Sequence, residues 1–238
     1  MCHTEKTALI WIDKANKEVR RLKDYWQKKW ETGDTLFHQD RPHPQLLKHF
    51  RSAAGKVMVP LCGKSLDLLW LKEQGNEVVG IELSPIACEA FFKENGLLFE
   101  VRKSGTFTIY QGDQISIWCG DFFQTPSDVW LGVTCVYDRA ALIALLPDLR
   151  KQYADCILRN WKAKGSTAVQ ILLITVEYPI EAIQGPPFSV TEAEVRDLYG
   201  KVFRIDKLET RIDPALSGRH PKFENTQVSE SVYRMSPA

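Results

Sequence analysis

The sequence has no long apolar run and no excess of charge of either sign. Its longest uninterrupted apolar stretch, residues 140–146, covers seven positions, whereas a membrane-spanning helix needs roughly 18 or more. Lysine and arginine total 31 and aspartate and glutamate total 30, which leaves a net charge of +1. Domains that bind a nucleic-acid backbone usually carry a large basic excess. The sequence therefore predicts no membrane span and no nucleic-acid partner, and its amino terminus lacks the pattern of a signal peptide.

The cysteines are scattered along the chain. The six cysteines form no CxxC pair, and no cluster of cysteine and histidine has the spacing of zinc ligands. Cys119 and Cys135 lie inside apolar segments, where a free thiol behaves as a small hydrophobic side chain. An even number of cysteines permits a disulfide framework, but their scatter favours a reduced protein of the cytoplasm that holds no metal.

The chain also lacks internal repeats, low-complexity segments and linkers rich in proline, glycine and serine. Its 44% apolar content is enough for one substantial core. Patterns typical of strands and helices alternate from about residue 57 onward. We therefore expect one α/β domain over residues 1–238. It would comprise an N-terminal extension (1–53), helical over residues 14–53, and an α/β core over residues 54–238.

The core is predicted to begin with a strand–helix–strand unit. Strands over residues 56–62 and 77–82 enclose a helix that Ser65 can cap, with an apolar face of Leu66, Leu69 and Trp70. Ser84 as N-cap and Pro85 at the first helical position then open a second helix. Strands separated by such a helix form a right-handed unit and run parallel.

A hairpin and several further elements are predicted in the rest of the chain. Residues 106–110 and 115–119 alternate apolar and polar side chains around a turn that contains glycine, which predicts a β-hairpin. Thr191 and Glu194 have the spacing of a helix capping box. Single strands are predicted over residues 132–137, 168–176, 202–212 and 227–234, and helices over residues 148–162 and 191–199.

Two predicted strand ends carry residues suited to ligand binding, and an open parallel sheet binds ligands beyond its carboxyl edge. Residues 60–65 form a turn with Gly63 ahead of a helix, and Glu82 ends the next strand 19 residues after Gly63. A carboxylate at this spacing can accept hydrogen bonds from both hydroxyls of a ribose. The alternative is a tight turn followed by an ordinary surface glutamate.

The same turn excludes two classes of nucleotide ligand. It lacks the G-x-G-x-x-G pattern that lets a backbone approach a pyrophosphate. An adenosine ligand without pyrophosphate, such as S-adenosylmethionine, is therefore favoured over NAD or FAD. Lys64 and Ser65 resemble the end of a P-loop, but the position five before Gly63 is Met58 rather than glycine, so a nucleoside triphosphatase is excluded.

Six segments that occur in order along the chain together resemble the thiopurine S-methyltransferase family. They are residues 25–30, Gly33 with residues 37–39, and residues 60–65, 79–84, 137–142 and 185–188. The resemblance implies the α/β, Rossmann-like fold of class I methyltransferases: a seven-stranded, mostly parallel sheet with a reversed last strand, flanked by helices, plus an N-terminal helical lid. It also implies methyl transfer from S-adenosylmethionine to sulfur, and some bacterial members of the family are associated with tellurium or selenium compounds.

The resemblance implies roles in cofactor binding for residues along most of the chain. Trp26 and Trp30 would lie over the cofactor, since their spacing puts both indoles on one helix face. The same spacing also suits two tryptophans that anchor a helix to a core. Phe37 would contact both cofactor and substrate. The full set is Trp26, Trp30, Phe37, Leu61, Glu82, Asp121, Phe122 and Arg139.

Within that set, three further roles follow from the resemblance. Leu61 would contribute a backbone contact to the methionine part of the cofactor, and Glu82 would accept the ribose hydroxyls. Asp121 and Phe122 match the segment that holds the adenine, mainly through backbone groups. Asp121 could equally cap a turn.

Arg139 is the one residue to which the resemblance gives a catalytic role. Its guanidinium would bind the cofactor carboxylate and stabilise the thiolate form of a bound thiol; the alternative is an ion pair with Asp138 or another surface acid. Pro187 would belong to a stiff wall of the substrate pocket, and Arg219 would face the substrate. His38 is given no catalytic role, because a histidine in a loop is more often a structural hydrogen-bonding group.

The resulting prediction is a small-molecule S-methyltransferase that acts on thiopurines or other aromatic or heterocyclic thiols. Thiols ionise readily, which fits a sequence with no Ser/His/Asp or Cys/His signature of nucleophilic catalysis. A monomer in the cytoplasm is expected, with no nucleic-acid or membrane partner. Two alternatives remain: a methyltransferase for selenium or tellurium compounds or small thiols, and a module that binds adenosylmethionine without catalysis.

Overall fold

The computed structural model describes residues 3–51, 55–163, 169–179, 185–212, 223 and 226–238. The chain forms two compact units, Met1–Thr35 and Leu36–Ala238. A single domain that spans the whole chain stays a prediction. Among the described residues, no helix combines the length and the apolar character required to cross a membrane.

The first unit is one long helix, α1 (His3–Thr32). The helix begins at residue 3, so the predicted start of the helical extension at residue 14 was wrong. No proline or glycine interrupts residues 3–32, and such residues are what usually stop a helix. Gly33 follows the last turn with a φ of 70°, a conformation that glycine adopts at little cost.

The described residues of the second unit form nine strands and five α-helices. The strands are β1 (Lys56–Pro60), β2 (Glu77–Glu82), β3 (Glu100–Ser104), β4 (Phe107–Gln111), β5 (Ile115–Cys119), β6 (Val133–Arg139), β7 (Gln170–Glu177), β8 (Phe203–Ile212) and β9 (Ser229–Pro237). The helices are α2 (Pro44–His49), α3 (Asp67–Glu73), α4 (Pro85–Glu94), α5 (Pro147–Ala163) and α6 (Glu192–Tyr199).

The strands form one sheet in the order β3-β4-β5-β2-β1-β6-β7-β9-β8. β5, β2, β1, β6 and β7 run parallel to one another, and β9 runs antiparallel to both of its neighbours. The predicted parallel sheet with a reversed last strand is therefore confirmed. The predicted number of seven strands was two too low, because β3 and β4 extend the edge beyond β5. The first four residues of β3 are exposed, so its sequence carries no pattern of buried and exposed positions.

Local sequence signals set the ends of the helices. The Ser84 hydroxyl accepts a hydrogen bond from the Ala87 N–H at 3.4 Å, which confirms the predicted N-cap of α4. The Thr191 hydroxyl accepts one from the Glu194 N–H at 3.2 Å. The Glu194 carboxylate, however, pairs with Arg150 rather than returning to the helix start, so only half of the predicted capping box forms.

Helix α3 buries a different face from the predicted one. Leu68 and Leu71 are fully buried, whereas Leu69 and Trp70 pack at the margin of the core. The buried Asp67 at the first helical position explains the shift. Its carboxylate accepts hydrogen bonds from the His43 N–H at 2.7 Å and the Tyr137 hydroxyl at 3.0 Å, which fixes the rotation of the helix.

Candidate active site

Two neighbouring strands end in strained turns at the carboxyl edge of the sheet. Leu61, just after β1, has a φ of 47°, and Ala140, just after β6, has a φ of 66°. Positive φ is uncommon for residues other than glycine, and such strain concentrates at functional sites. Because β1 pairs with β6, the two turns lie at the same edge. This edge is the candidate active site.

Glu82 ends β2 at this edge, and its side chain is buried rather than on the surface. One carboxylate oxygen accepts a hydrogen bond from the Gly63 N–H and the other from the Ser84 N–H, each at 2.8 Å. Burial raises the Glu82 pKa, and these backbone hydrogen bonds oppose that rise. Each oxygen keeps a second lone pair, so the carboxylate can accept two more hydrogen bonds from a ligand diol.

The close approach of β1 and β2 places the Gly63 N–H at this carboxylate. A Cβ at Gly80 would lie 2.6 Å from the Cys62 sulfur, so only glycine fits there. The Cys62 N–H donates to the Ile81 carbonyl at 3.0 Å, which extends the pairing of the two strands past the end of β1. The chain then turns at Gly63, whose φ is 56°. The predicted 19-residue spacing thus brings a carboxylate and a turn into direct contact.

Asp121 and Phe122 follow β5, the other neighbour of β2. The Asp121 carboxylate accepts a hydrogen bond from the Phe123 N–H at 3.1 Å and so caps a 3-10 turn over Phe122–Gln124. The Phe122 ring is buried against Tyr153, with ring centroids 4.9 Å apart. The capping alternative for Asp121 is therefore present in the structure. The backbone contact of this segment with an adenine stays a prediction.

Arg139 is the last residue of β6 and is half-buried. Within the described part of the chain it has no ion pair. Asp138 does not pair with it: the buried Asp138 carboxylate accepts hydrogen bonds from the Tyr153 hydroxyl at 2.8 Å and the Leu142 N–H at 3.1 Å. Burial raises the Asp138 pKa to about 6. The predicted alternative, an Arg139–Asp138 ion pair, was wrong, and the Arg139 charge is available to a ligand.

His38 lies within electrostatic reach of the same edge. Burial lowers its pKa, and the charges of Lys64 and Arg139 lower it further, while Glu94 acts in the opposite direction. Lys64 donates to both oxygens of the Glu94 carboxylate at 2.7 Å. Sequence reasoning gave His38 no role, and its position next to Phe37 was the signal that could have linked it to the site. Phe37 is 37% exposed.

The segment that contains Pro187 lies against the turn that follows Arg139. The Phe188 N–H donates to the Ile143 carbonyl at 2.7 Å, and the Tyr178 hydroxyl donates to the Pro187 carbonyl. The buried Arg150 adds a hydrogen bond to the Ser189 carbonyl at 3.1 Å. The peptide bonds before Pro186 and Pro187 are both cis. Position and anchoring therefore fit the predicted wall beside the site, and sequence reasoning missed the contribution of Arg150.

The other predicted site residues lie in the first compact unit or outside the described residues. Trp26 and Trp30 lie in α1, in the first compact unit, where Trp30 is buried and the rings of Tyr25 and Trp26 meet edge to face at 5.2 Å. Their place over a cofactor stays a prediction. Arg219 lies outside the described residues. Among the described residues, no group of three or more histidine, cysteine, aspartate or glutamate side chains could hold a metal ion.

Comparison with known proteins identifies close relatives. The family model of thiopurine S-methyltransferase matches residues 21–237. A thiopurine S-methyltransferase of Pseudomonas fluorescens strain Pf0-1 is 43% identical over 217 residues, which cover 89% of this chain and 97% of that protein. Another, of Nitrosospira multiformis, is 42% identical over 221 residues, covering 89% of this chain and 96% of that protein.

Solved structures of methyltransferases share the fold at low sequence identity. The 1,6-didemethyltoxoflavin-N1-methyltransferase of Burkholderia thailandensis, determined with S-adenosylhomocysteine, gives a TM-score of 0.60 at 15% identity and covers 93% of this chain and 90% of its own. A TehB-like S-adenosylmethionine-dependent methyltransferase of Corynebacterium glutamicum gives a TM-score of 0.52 at 11% identity, over 91% of this chain and 98% of its own. The predicted class I methyltransferase fold is confirmed.

Proposed function

Because the chain belongs to the thiopurine S-methyltransferase family, we propose that it transfers a methyl group from S-adenosylmethionine to the sulfur of a thiopurine or another aromatic or heterocyclic thiol. One observation supports this most strongly. A buried, backbone-held carboxylate, Glu82, and an arginine without an ion pair among the described residues, Arg139, end two strands of the same parallel sheet. The first suits a ribose and the second an anion.

The residues at the edge fit the parts of S-adenosylmethionine. The lone pairs left on Glu82 accept the two ribose hydroxyls. Leu61 contributes a backbone contact to the methionine part, and the Arg139 guanidinium binds its carboxylate. The segment of Asp121 and Phe122 holds the adenine through backbone groups. Trp26, Trp30 and Phe37 complete the proposed cofactor site.

When bound, S-adenosylmethionine supplies a methyl group that its sulfonium already activates. The protein's own task is to align the acceptor sulfur with that methyl group and to exclude water. The fixed positive charge of Arg139 favours the thiolate form of the acceptor and stabilises it in the site. Burial and the charge of Lys64 lower the His38 pKa, which disfavours a further positive charge on this ring.

The acceptor is proposed to lie between Phe37 and the segment of Pro187, with Arg219 as a second cation toward it. An aromatic thiol suits this site because a phenylalanine ring and a proline present flat apolar surfaces. The near-neutral net charge of the chain also fits a small aromatic substrate, for which long-range steering matters little. A monomer in the cytoplasm is proposed, and light scattering of the purified protein tests the oligomeric state.

Calorimetry and an acceptor screen test this proposal in two steps. Titration with S-adenosylhomocysteine should show binding, and its absence would contradict the assignment of the cofactor. Labelled adenosylmethionine is then offered with thiopurines, aryl thiols, small thiols and selenium or tellurium oxyanions. Preferential labelling of thiopurines or aryl thiols supports the proposal. Labelling of only the metalloid compounds or small thiols supports the alternative acceptors, and binding without any turnover supports a non-catalytic module.

A further inference from the structure

Arg150 is a buried arginine of α5 that holds three other parts of the chain together. Its side chain is 1% exposed. Its Nε donates to the Leu145 carbonyl and its Nη1 to the Ser189 carbonyl, each at 3.1 Å. Nη1 also donates to both oxygens of the Glu194 carboxylate on α6, each at 2.8 Å. Because a buried charge is costly unless it is paired and hydrogen-bonded, these contacts fix the guanidinium in one position.

Two of the segments that Arg150 contacts lie next to the proposed acceptor site. Leu145 is the last residue of the Arg139 turn, defined as residues 139–145, and Ser189 belongs to the Pro187 segment, defined as residues 185–190. The guanidinium therefore connects the turn that carries the proposed catalytic charge to the proposed wall of the acceptor site. Its position sets the separation between the two.

Backbone hydrogen bonds also attach the Pro187 segment to its neighbours. Toward the Arg139 turn, the Phe188 N–H donates to the Ile143 carbonyl at 2.7 Å. Toward the end of β7, the Val190 N–H donates to the Val176 carbonyl at 2.9 Å. The Arg150 guanidinium adds a cation–π contact, since it lies 5.9 Å from the centroid of the Phe188 ring. A substitution cannot remove the backbone bonds, so Arg150 is the attachment toward the Arg139 turn that mutation can test.

An arginine suits this position better than a lysine would. Nε and Nη1 belong to one rigid planar group, so the two carbonyls that they bind are held at a set distance from each other. A lysine has a single nitrogen on a flexible stem. It can keep a positive charge opposite Glu194, but it does not fix the two carbonyls relative to each other. Arg150→Lys should therefore loosen the connection while it keeps the ion pair.

We propose that Arg150 is a positioning residue for the methyl acceptor, because it holds the Pro187 segment at a fixed distance from the Arg139 turn and so sets the width of the acceptor site. The buried guanidinium acts through the backbone of the segment and not by contact with a ligand. The inference rests on the proposed function, which places the acceptor beside Pro187. Glu82 ends another strand, and Arg139 itself is held in the pairing of β6 with β7. A change at Arg150 should therefore affect the acceptor and spare the cofactor.

Steady-state kinetics with an aryl thiol distinguish this role from a purely structural one. In Arg150→Lys the KM for the thiol should rise about tenfold, because a misplaced wall weakens acceptor binding. The Kd for S-adenosylhomocysteine, measured by calorimetry, should stay within about twofold of the wild-type value. A residue that only stabilised the fold would lower the fraction of active enzyme, and hence kcat, without changing KM. That pattern would overturn the inference.

Two further variants serve as control and substitute. Arg196→Lys is the matched control, since Arg196 is an exposed arginine of α6 that pairs with Glu192 at 2.7 Å, and its KM should be unchanged. An equal rise of KM in Arg196→Lys and Arg150→Lys would overturn the inference. If Arg150→Lys does not fold, Glu194→Gln takes its place, because it weakens the hold on Nη1 without altering Arg150. Its KM should rise about two- to fivefold, and an unchanged KM would overturn the inference.

Hydrogen exchange followed by mass spectrometry tests the positioning without reference to activity. In Arg150→Lys a peptide that covers the Pro187 segment, with the amides of Phe188 and Val190 as reporters, should exchange about tenfold faster than in the wild type. A peptide that covers β2 reports unfolding of the sheet and should exchange equally in both proteins. Equal exchange of the Pro187 segment in both would overturn the inference. Absence of methyl transfer to any thiol by the wild type would contradict the proposed function instead, whatever the exchange result.

Discussion

The ends of β2 and β6 lie on the same edge of the sheet, but their charged residues differ in burial and in hydrogen bonding. Glu82, at the end of β2, is buried and already accepts hydrogen bonds from two backbone N–H groups. Arg139, at the end of β6, is half-buried and has no ion pair among the described residues. Its neighbour Asp138 is instead held by Tyr153 and the Leu142 N–H.

Glu82 and Arg139 are prepared for ligand binding in two different ways. Glu82 is oriented before any ligand arrives, so a diol that binds it pays little for ordering the carboxylate. Arg139 has no ion pair among the described residues, because the carboxylate of its chain neighbour Asp138 is buried and bonded elsewhere. The Glu82 end should therefore dominate cofactor affinity, and the Arg139 end should dominate the chemistry of the acceptor while contributing little to folding. Four experiments test this contrast.

The largest effect is expected from Glu82→Ala. The substitution removes two charge-assisted hydrogen bonds to the ribose, worth roughly 1.5–3 kcal/mol each, so affinity for S-adenosylhomocysteine should fall by about 10³-fold in calorimetry. Glu77→Ala is the matched control, since Glu77 begins the same strand with a side chain that is 58% exposed, and its affinity should be unchanged. A loss below about tenfold for Glu82→Ala would contradict the ribose assignment.

Arg139→Ala should lower kcat/KM for an aromatic thiol by about 10–10³-fold, because a positive charge within about 4–6 Å favours the ionised form of an acid by roughly that factor. The melting temperature should hardly change, because no described residue loses an ion-pair partner. Arg150→Ala is the contrasting variant. The Arg150 side chain is buried and pairs with Glu194 at 2.8 Å, so its removal should cost roughly 3–5 kcal/mol of stability. Equal destabilisation by both substitutions would refute the contrast.

Asp138→Asn tests whether the acid beside Arg139 is held in the core. The Asp138 pKa is about 6 in the folded protein against an ordinary value of 3.8. Between these values the folded state binds more protons than the unfolded state, so the free energy of unfolding is highest at low pH and falls as pH rises toward 6. The total fall is roughly 3 kcal/mol.

Urea unfolding at several pH values between 4 and 7 measures this effect. The stability of Asp138→Asn relative to the wild type should rise as pH increases through the window, because the variant has no carboxyl group to deprotonate there. Asp155→Asn, at an exposed position of α5, should show no such trend. Parallel pH profiles for the wild type and Asp138→Asn would argue against the raised pKa.

The smallest effect is expected on the titration of His38. Lys64→Gln and Arg139→Gln should each raise the His38 pKa toward 6.5, because each removes a positive charge that lowers it, and the effect of Lys64 should be the larger. Proton NMR of the histidine ring, assigned with His38→Gln, follows the titration. If neither substitution moves the His38 pKa, the two cations do not act on this ring.

The sequence predicted those features that depend on residues close together along the chain. The N-cap at Ser84 and Pro85 and the strand that ends at Glu82 follow from local propensity and spacing. The hydrogen bond between Glu82 and the turn at Gly63 could also be predicted, because a strand–helix–strand unit brings the ends of consecutive strands together. The resemblance to a family supplied Arg139, which no local pattern distinguishes from a surface arginine.

Features that depend on distant contacts were not predictable in this way. The partner of Asp138 is Tyr153, on the helix after the strand, and only the packed structure shows that this bond withdraws the acid from Arg139. Arg150 reaches Ser189 and Glu194 from about 40 residues away. Strand β3 is exposed, and its sequence has no alternation of apolar and polar residues from which a strand could be predicted. Tertiary packing, rather than propensity, decides each of these.

Recognition of the cofactor ribose by Glu82 can be tested with a ligand analogue. Calorimetry compares S-adenosylhomocysteine with an analogue that lacks the 2′ and 3′ hydroxyls, on the wild type and on Glu82→Ala. The wild type should bind the analogue about 10³-fold more weakly, whereas Glu82→Ala should bind both ligands with similar affinity. An equal loss of affinity for the analogue in both proteins would show that residues other than Glu82 bind the hydroxyls.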